Sequence, residues 1–490
     1  MNFTYKTLIK IMGLLLGITG LAMIPSFACA VYYHEGSTEA GFLISASLST
    51  LLGFGIYRFT PSSRRKLKAR DGYLIVIMCW IGCSLFGAIP YYLSGQVPSF
   101  IDALFEAIAG YTTTGATVIA DLRLSHSLYL WKATTHWLGG MGILVFIISI
   151  LPSLGIAGQR LAAAETPGAG LTQMAPRIRD LAMLLYFIYI SFTLVEFLLL
   201  WLGSEMNAFE ALVNSLGSIS TAGLFLHPEG ISYYNDVFVE LVISIFTLLA
   251  SVNFILYINI IKGNFERLRK NMEIRVFFAI VAVSTLLITL SLWLTETYET
   301  FAESLRNAFF QVSSFMSTSG FSLTDYNRWP AFTHAILFTL LFIGGCAAST
   351  SGGIKVLRVT VMFKLIRRGF YKRLHPRAVS AIKVGDNIMS APMVSAITTF
   401  IFLYLFTFMT CALVLSLEGL SLETTLTASA SLMSTTGSGL GDIAGGNFSV
   451  FSPPLRLFMC LIMVIGRLEL FTVFLMLFPS FWNPNRFTTK

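Results

Sequence analysis

Residues 431–441 read SLMSTTGSGLG. The piece STTG (Ser434, Thr435, Thr436, Gly437) is polar and glycine-bearing, yet long apolar stretches flank it on both sides. Its segment, LETTLTASASLMSTTGSGLG (422–441), has three relatives in the chain: IDALFEAIAGYTTTGATVIADL (101–122), NAFEALVNSLGSISTAGLFLH (207–227) and SLRNAFFQVSSFMSTSGFS (304–322). Aligned on Gly115, Gly223, Gly320 and Gly437, the residue two earlier is always Thr: Thr113, Thr221, Thr318 and Thr435. The residue before that is Thr112, Ser220, Ser317 or Ser434. Twelve before the glycine stand Ala103, Ala211, Ala308 and Thr425, all small. The glycines are 108, 97 and 117 residues apart. Small residues and hydroxyls ease helix packing in membranes, which would explain any one phrase. Four phrases in register describe a repeat instead: apolar span, short helix, hydroxyl-Thr-x-Gly, apolar span.

Composition fixes the surroundings of that repeat. The chain has 490 residues, 55% hydrophobic and 12% charged, where a soluble domain carries about 25% charged residues. Mean hydropathy is +0.74. Ten runs are long and apolar enough to cross a bilayer, near 8–32, 40–57, 72–94, 127–151, 180–203, 236–261, 275–295, 332–361, 391–417 and 455–479. The first has a signal-peptide look, with Lys6 and Lys10 ahead of its apolar core, but that core is longer than an h-region; a retained helix is expected. The fold class is therefore an all-α integral membrane protein of ten transmembrane helices. The four polar segments are too short to span and are expected as re-entrant loops.

Charge orients the chain. The net charge is +8, and the basic residues cluster after the even-numbered spans, among them Arg58, Arg64, Arg65, Lys66, Lys68 and Arg70, then Arg160, Arg177 and Arg179, then Lys262, Arg267, Arg269, Lys270 and Arg275, then Lys364, Arg367, Arg368, Lys372, Arg373, Arg377 and Lys383. That is the positive-inside pattern and not a nucleic-acid surface. Both termini are then cytoplasmic, and all four polar segments enter from the other side. The six cysteines (Cys29, Cys79, Cys83, Cys346, Cys411, Cys460) form no C-x-x-C pair and are read as packing thiols.

A short helix dipping into the bilayer exposes carbonyls at its C-terminal end, equivalent to about −0.5 charge, and four converging ends give about −2. Non-helical backbone at membrane depth must be buried in protein or line water. Glycine opens backbone angles closed to other residues, so an extended Thr-x-Gly strand can aim its carbonyls at an axis. Rings of carbonyls replace the hydration shell of potassium. A calcium or magnesium site would want a carboxylate in these phrases, and they hold none.

The phrases YTTTGATV (111–118), HWLGGMGILVF (136–146), STAGLF (220–225), GISYYNDVFVELV (230–242), GGCAASTSGGIKVLR (344–358) and IGRLELF (465–471) resemble the Trk/Ktr/HKT superfamily of potassium transporters over essentially the whole chain. Within it, the likeness is to the bacterial Trk potassium-uptake membrane subunits. The resemblance implies four pseudo-symmetric M1–P–M2 repeats (71–175, 176–270, 271–385 and 386–490) around one pore, preceded by two extra helices in 1–70. It implies potassium uptake across the bacterial inner membrane, with a glycine in each filter loop. The potassium-binding residues would be Thr112, Thr113, Thr114 and Gly115; Ser220, Thr221, Ala222 and Gly223; Ser317, Thr318, Ser319 and Gly320; and Ser434, Thr435, Thr436 and Gly437. It also implies a homodimer, each chain with its own pore, and a cytoplasmic nucleotide-binding Trk regulatory subunit on the basic face. Proton symport and channel-like conduction both stay open.

The eighth span is broken by GGCAASTSGG: Gly344, Gly345, Cys346, Ala347, Ala348, Ser349, Thr350, Ser351, Gly352 and Gly353. That composition does not hold a helix, and a gating loop beneath the filter is expected, where the family carries its own. Lys355 ends this loop. Arg467, mid-way along the last span, is a costly intramembrane cation. It reads either as a barrier in the pore or as glue bonding nearby carbonyls. Glu469 is not placed to be its helical partner. Glu196 is either a proton site or a carboxyl held protonated against a polar neighbour. His136 is expected to be packed and hydrogen-bonded. No nucleotide loop, catalytic motif or metal-ligand spacing occurs, so neither an enzyme nor a cofactor is expected in this chain. Inverted repeats around a midplane site would mark a substrate-coupled secondary transporter. These repeats are parallel.

Overall fold

The apolar runs fold as helices, and the polar segments between them fold as shorter ones. The computed structural model describes residues 5–61, 69–119, 124–150, 178–378, 380–385 and 387–482. Arg64, Arg65, Lys66, Lys68, Arg160, Arg177 and the 175/176 repeat boundary lie outside these residues. The long helices are α1 (Tyr5–Ala22) continued by α2 (Ile24–Tyr32), α3 (Ser37–Phe59), α4 (Ala69–Leu93), α6 (His126–Ile150), α7 (Ile178–Gly203), α12 (Met272–Leu294) and α16 (Ala391–Leu415). Their bounds agree with the apolar runs to within a few residues. Between them lie the short helices α5 (Phe100–Tyr111), α8 (Ala208–Ile219), α13 (Phe301–Met316) and α17 (Leu422–Ser434).

Two runs differ from the reading as single unbroken spans. Residues 236–261 form α9 (Val237–Ala250) and α10 (Phe254–Ile261), bent by 93°. Residues 453–474 form α18 (Pro453–Arg467) and α19 (Leu470–Phe474), and the chain bends there by 113°. The run expected to break does so: α14 (Ala331–Phe342) and α15 (Val356–Leu374) flank the glycine-rich loop. A short basic helix, α11 (Phe265–Lys270), and a two-residue antiparallel pair, β1 (Lys383–Val384) with β2 (Asn387–Ile388), lie in the connections. Among the described residues six helices, or up to eight if each bent pair is one span, are long and apolar enough to cross a membrane.

The four short helices start alike. Ser99 accepts from Asp102 N–H, Asn207 from Glu210 N–H, Thr300 from Glu303 N–H and Ser421 from Thr424 N–H. Each is an N-cap satisfying a backbone donor that has no partner within the helix. Each first turn holds an acid (Asp102, Glu210, Glu303, Glu423), which suits the positive end of the helix dipole. The opposite ends are the most buried parts of the chain: every residue from Phe105 to Val118 and from Ala428 to Leu440 is buried.

Packing is cyclic. The short helix α5 lies against α4, α6 and α18; α8 against α7, α9 and α6; α13 against α12, α14 and α9; and α17 against α16, α18 and α14. Each short helix therefore touches the helices before and after it in the chain, and one helix belonging to the preceding segment. The last segment closes on the first. Outside this ring, the long helices turn apolar side chains outward, such as Leu51, Phe187, Leu202, Val283, Phe402 and Leu413. Serines and threonines sit inside, the inverse of a water-soluble core.

The pair α1 and α3 meets through glycines. A Cβ on Gly53 would collide with Gly17 N, whereas a Cβ on Gly55 would meet nothing within 4 Å. Close approach of this kind holds helices together in lipid. We predict that Gly53→Val destabilises the folded protein by about 1–3 kcal/mol. Gly55→Ala should leave the thermal midpoint in detergent unchanged.

Candidate functional site

Each short helix ends in the same turn. Thr114, Ala222, Ser319 and Thr436 donate their N–H groups back to Ala109 O (2.9 Å), Gly217 O (3.0 Å), Ser314 O (2.9 Å) and Ser431 O (2.9 Å). This is the Schellman pattern, whose left-handed residue is usually glycine. Here the left-handed residue is the shared threonine: Thr113 (φ 55°), Thr221 (52°), Thr318 (59°) and Thr435 (56°). A β-branched residue in that region is strained, by roughly 1–2 kcal/mol. The shared threonine thus sits in a left-handed turn and not in the extended conformation expected of it. The hydroxyls on either side of the threonine pair with each other: Thr112 with Thr114 (2.8 Å), Ser317 with Ser319 (3.1 Å), Ser434 with Thr436 (2.7 Å). The second turn has Ala222 in this place and lacks that bond. Thr113 Oγ1 and Thr435 Oγ1 are buried without a hydrogen-bond partner among the described residues.

The four turns meet in chain order. A Cβ on Gly115 would lie 2.7 Å from Ala222 O and Gly223 O. One on Gly223 would collide with Ser319 O, one on Gly320 with Thr436 O, and one on Gly437 with Thr114 O. Each glycine leaves room for the backbone of the next turn, and the fourth meets the first. Gly115, Gly320 and Gly437 also have φ between 72° and 74°, and Gly223 does not. All sixteen residues named from the sequence therefore lie in one buried cluster.

The glycine-rich loop seats directly on these turns. Ile343 and Ile354 form a parallel bridge that closes it. Gly352 N–H donates to Thr318 Oγ1 (2.8 Å), and a Cβ on Gly352 would collide with Ser434 O. Thr350 Oγ1 lies 3.3 Å from Thr221 Oγ1. From outside, the break between α9 and α10 cradles the loop: Cys346 N–H donates to Ser251 O (2.8 Å), and Ala348 O accepts from Phe254 N–H (3.1 Å). Glu273, at the start of α12, accepts from Ala347 N–H (2.7 Å). Inside the loop Ser351 O accepts from Lys355 Nζ.

Arg467 is 3% exposed and ends α18 at its bend. Its guanidinium donates to Thr350 O (2.8 Å) and to Gly139 O (3.0 Å), tying the loop to α6. Glu469 instead accepts from Arg358 (2.7 Å), as its spacing from Arg467 required. Glu196 is fully buried next to Ser218 of α8. His136 is fully buried, but neither ring nitrogen has a partner among the described residues, so the expected hydrogen bond is absent there. Sequence reasoning passed over Ser251, Asn253 and Glu273. The one available signal was Asn253, which caps α10 by accepting from Ile255 N–H (2.9 Å).

Membrane-length helices wrapped around four converging helix ends define a helical membrane transport protein. The family model described as TrkH, cation transport protein, matches residues 39–483. The Trk system potassium uptake protein TrkH of Salmonella typhimurium is 33% identical over 485 residues, covering 98% of this chain and 99% of that protein. The Trk system potassium uptake protein TrkG of Escherichia coli K12 is 34% identical over 480 residues, covering 96% and 97%. The crystal structure of the potassium transporter TrkH from Vibrio parahaemolyticus superposes with a TM-score of 0.89 at 31% identity, covering 98% of this chain and all of that one. The chain belongs to the TrkH family of cation transport proteins.

Because Gly352 has no room for a side chain, Gly352→Ala should unseat the loop. Cys346, fully buried within it, should then react with a thiol reagent at least about tenfold faster, as mapped by peptide mass spectrometry. An unchanged rate would contradict this seating.

Proposed function

We propose that this chain is the ion-translocating membrane subunit of a bacterial potassium-uptake system. Ten spans and four re-entrant loops form four M1–P–M2 repeats (71–175, 176–270, 271–385 and 386–490) after two leading helices. The cyclic meeting of Gly115, Gly223, Gly320 and Gly437 is the observation that carries this reading. It brings four helix C-termini to one point, where their partial charges of about −0.5 each attract a cation. Backbone oxygens of the sixteen turn residues then take the place of its water. The unpartnered hydroxyls of Thr113 and Thr435 are further oxygen donors for a cation of this kind. The absence of acids in the turns favours a weakly hydrated monovalent ion over calcium or magnesium. The relatives named for potassium uptake support potassium as that ion.

Residues 344–353 form the gate on this reading. They lie against Thr221, Thr318 and Ser434, on the side away from the capped helix starts. Arg467 latches the gate through Thr350 O and adds a positive charge under the filter, so glue and barrier are one device. The basic segments 262–275 and 364–377 then face the cytoplasm with both termini. They offer a surface to a nucleotide-binding regulatory subunit, and two chains, each with its own pore, pair in the inner membrane.

The full chain in liposomes should take up radioactive rubidium, with unlabelled potassium competing far better than sodium. Gly437→Ser should lower that preference at least about tenfold, since a side chain there combines left-handed strain of roughly 1–2 kcal/mol with a clash at the first turn. An unaltered preference would contradict the filter. Arg467→Ala, or removal of Ala347 and Ala348, should raise the basal flux several-fold, on the order of one lost charge-assisted hydrogen bond. Wild-type flux in both would contradict the gate.

A further inference from the structure

Behind the ring stands a charged pair that forms no part of it. Glu106, in the second half of α5, is fully buried. Its Oε2 accepts from Lys132 Nζ on α6 (2.7 Å), and Lys132 is itself 4% exposed. Its Oε1 accepts from Thr117 Oγ1 (2.7 Å) and from Val118 N–H (2.8 Å). Thr117 and Val118 belong to the arm that leaves the first turn just after Gly115.

That arm is bonded in turn to the fourth segment. Thr117 N–H donates to Gly446 O (2.9 Å), and Phe448 N–H donates to Thr117 O (2.7 Å). Gly446 packs on the fourth turn, where a Cβ would lie 2.9 Å from Gly437 O. Gly437 meets Thr114 O, closing the path. The contacts run from Lys132 through Glu106, Thr117 and Gly446 to Gly437, and back to the first turn. They brace the seam at which the fourth segment closes on the first. The matching positions in the other segments are Asn214, Gln311 and Ala428, none of them charged. Asn214 bonds Glu210 O (2.9 Å) and Tyr234 OH (3.3 Å), and Gln311 bonds Phe321 O (3.5 Å). Among the described residues the first segment, at the closing seam, is the one whose ion pair is buried on both sides; the Arg306–Glu240 pair that joins α13 to α9 leaves its guanidinium half-buried.

A buried ion pair adds little net stability, and its best-attested use is to fix one arrangement against others. A carboxylate bonded on both oxygens cannot rotate, so it holds the arm in one place. We propose that Glu106 and Lys132 are positioning residues that set cation preference by fixing the spacing of the first and fourth turns. This rests on the reading of the turns as a potassium filter. With the brace intact the ring keeps the size that suits potassium. With it broken the seam relaxes and sodium competes.

The test uses rubidium uptake by the full chain in liposomes, with potassium and sodium as competitors. The preference is a ratio, so a lower yield of folded protein leaves it unmoved. Wild-type protein without a potassium preference would overturn the filter reading itself. Given that preference, Glu106→Ala and Lys132→Met should each lower it about tenfold, as expected when a charged hydrogen-bond partner is lost inside a protein. If Glu106→Ala does not fold, Glu106→Asp, one methylene short of Thr117, takes its place with the same expectation. The double variant Glu106→Gln with Lys132→Gln keeps an acceptor for Thr117 and Val118, removes both charges, and should restore the preference to within about twofold. Single variants that keep the wild-type preference would overturn the brace. So would a double variant as unselective as the singles, since charge and not position would then be at work.

Discussion

Four backbones can meet at one point only if nothing projects between them. Gly115, Gly223, Gly320 and Gly437 meet that condition, because a Cβ on any of them would fall on the backbone oxygen of the next turn. Much else in the fold serves this meeting. Gly139 and Gly466 let their helices lie against Tyr111 O and Met433 O, in the last turns of α5 and α17, where a Cβ would collide. Helix starts are satisfied by their own caps and acids, so the unsatisfied carbonyl ends are left to converge. Converging like poles repel. The left-handed threonines, strained as they are, hold the turns in place by bonding back to their own helices. Strain of that sort persists only where the surroundings over-determine it, and it clusters at functional sites.

The side of the ring facing the helix C-termini is closed by broken helices. The bend at Ala250–Phe254, the loop at Ile343–Lys355 and the bend at Arg467–Leu470 come together there. Thr350 is the shared point: its hydroxyl reaches Ala250 O (3.1 Å) and its carbonyl accepts from Arg467. Backbone freed by a break at membrane depth needs a partner, and here each break supplies partners for the next. The fourth helix of this set, α6, stays unbroken to Ile150 and takes Arg467 on Gly139 O. A loop closed on itself by the Ile343–Ile354 bridge, with its other bonds running outward to the turns above and the bends beside it, is suited to leaving as a unit.

The repeat, the apolar spans and the glycine-rich break were legible in the sequence because each depends on residue type at fixed spacing. Thr113, Thr221, Thr318 and Thr435 were visible as a pattern, but their left-handed angles were not. Threonine is a poor choice for that region, and only the tertiary ring imposes it. The bends at Ala250–Phe254 and Arg467–Leu470 were missed for a related reason. Their sequences, ASVNF and GRLEL, contain no proline and keep the apolar pattern going. What bends them is the loop from another segment that occupies the space. Arg467 was recognised as an intramembrane cation, but its acceptors, Thr350 O and Gly139 O, are backbone groups that carry no signature of their own.

The ring is fourfold in plan and unequal in detail. The second turn replaces a hydroxyl by Ala222, and its Gly223 avoids the left-handed region. The third turn lends Thr318 to the loop. The first, among the described residues, carries behind it a charged pair buried on both sides. Four separate chains in a symmetric pore would be bound to share every such feature. One chain with four repeats is free to assign the features singly: loop contact to the second, third and fourth turns, and rigid closure to the seam between the fourth and the first. The contacts divide in this way. The loop bonds to Thr221 and Thr318 and packs on Ser434, while Thr113 makes no hydrogen bond to it. The turn that is braced from behind is therefore the one that departure of the loop would disturb least.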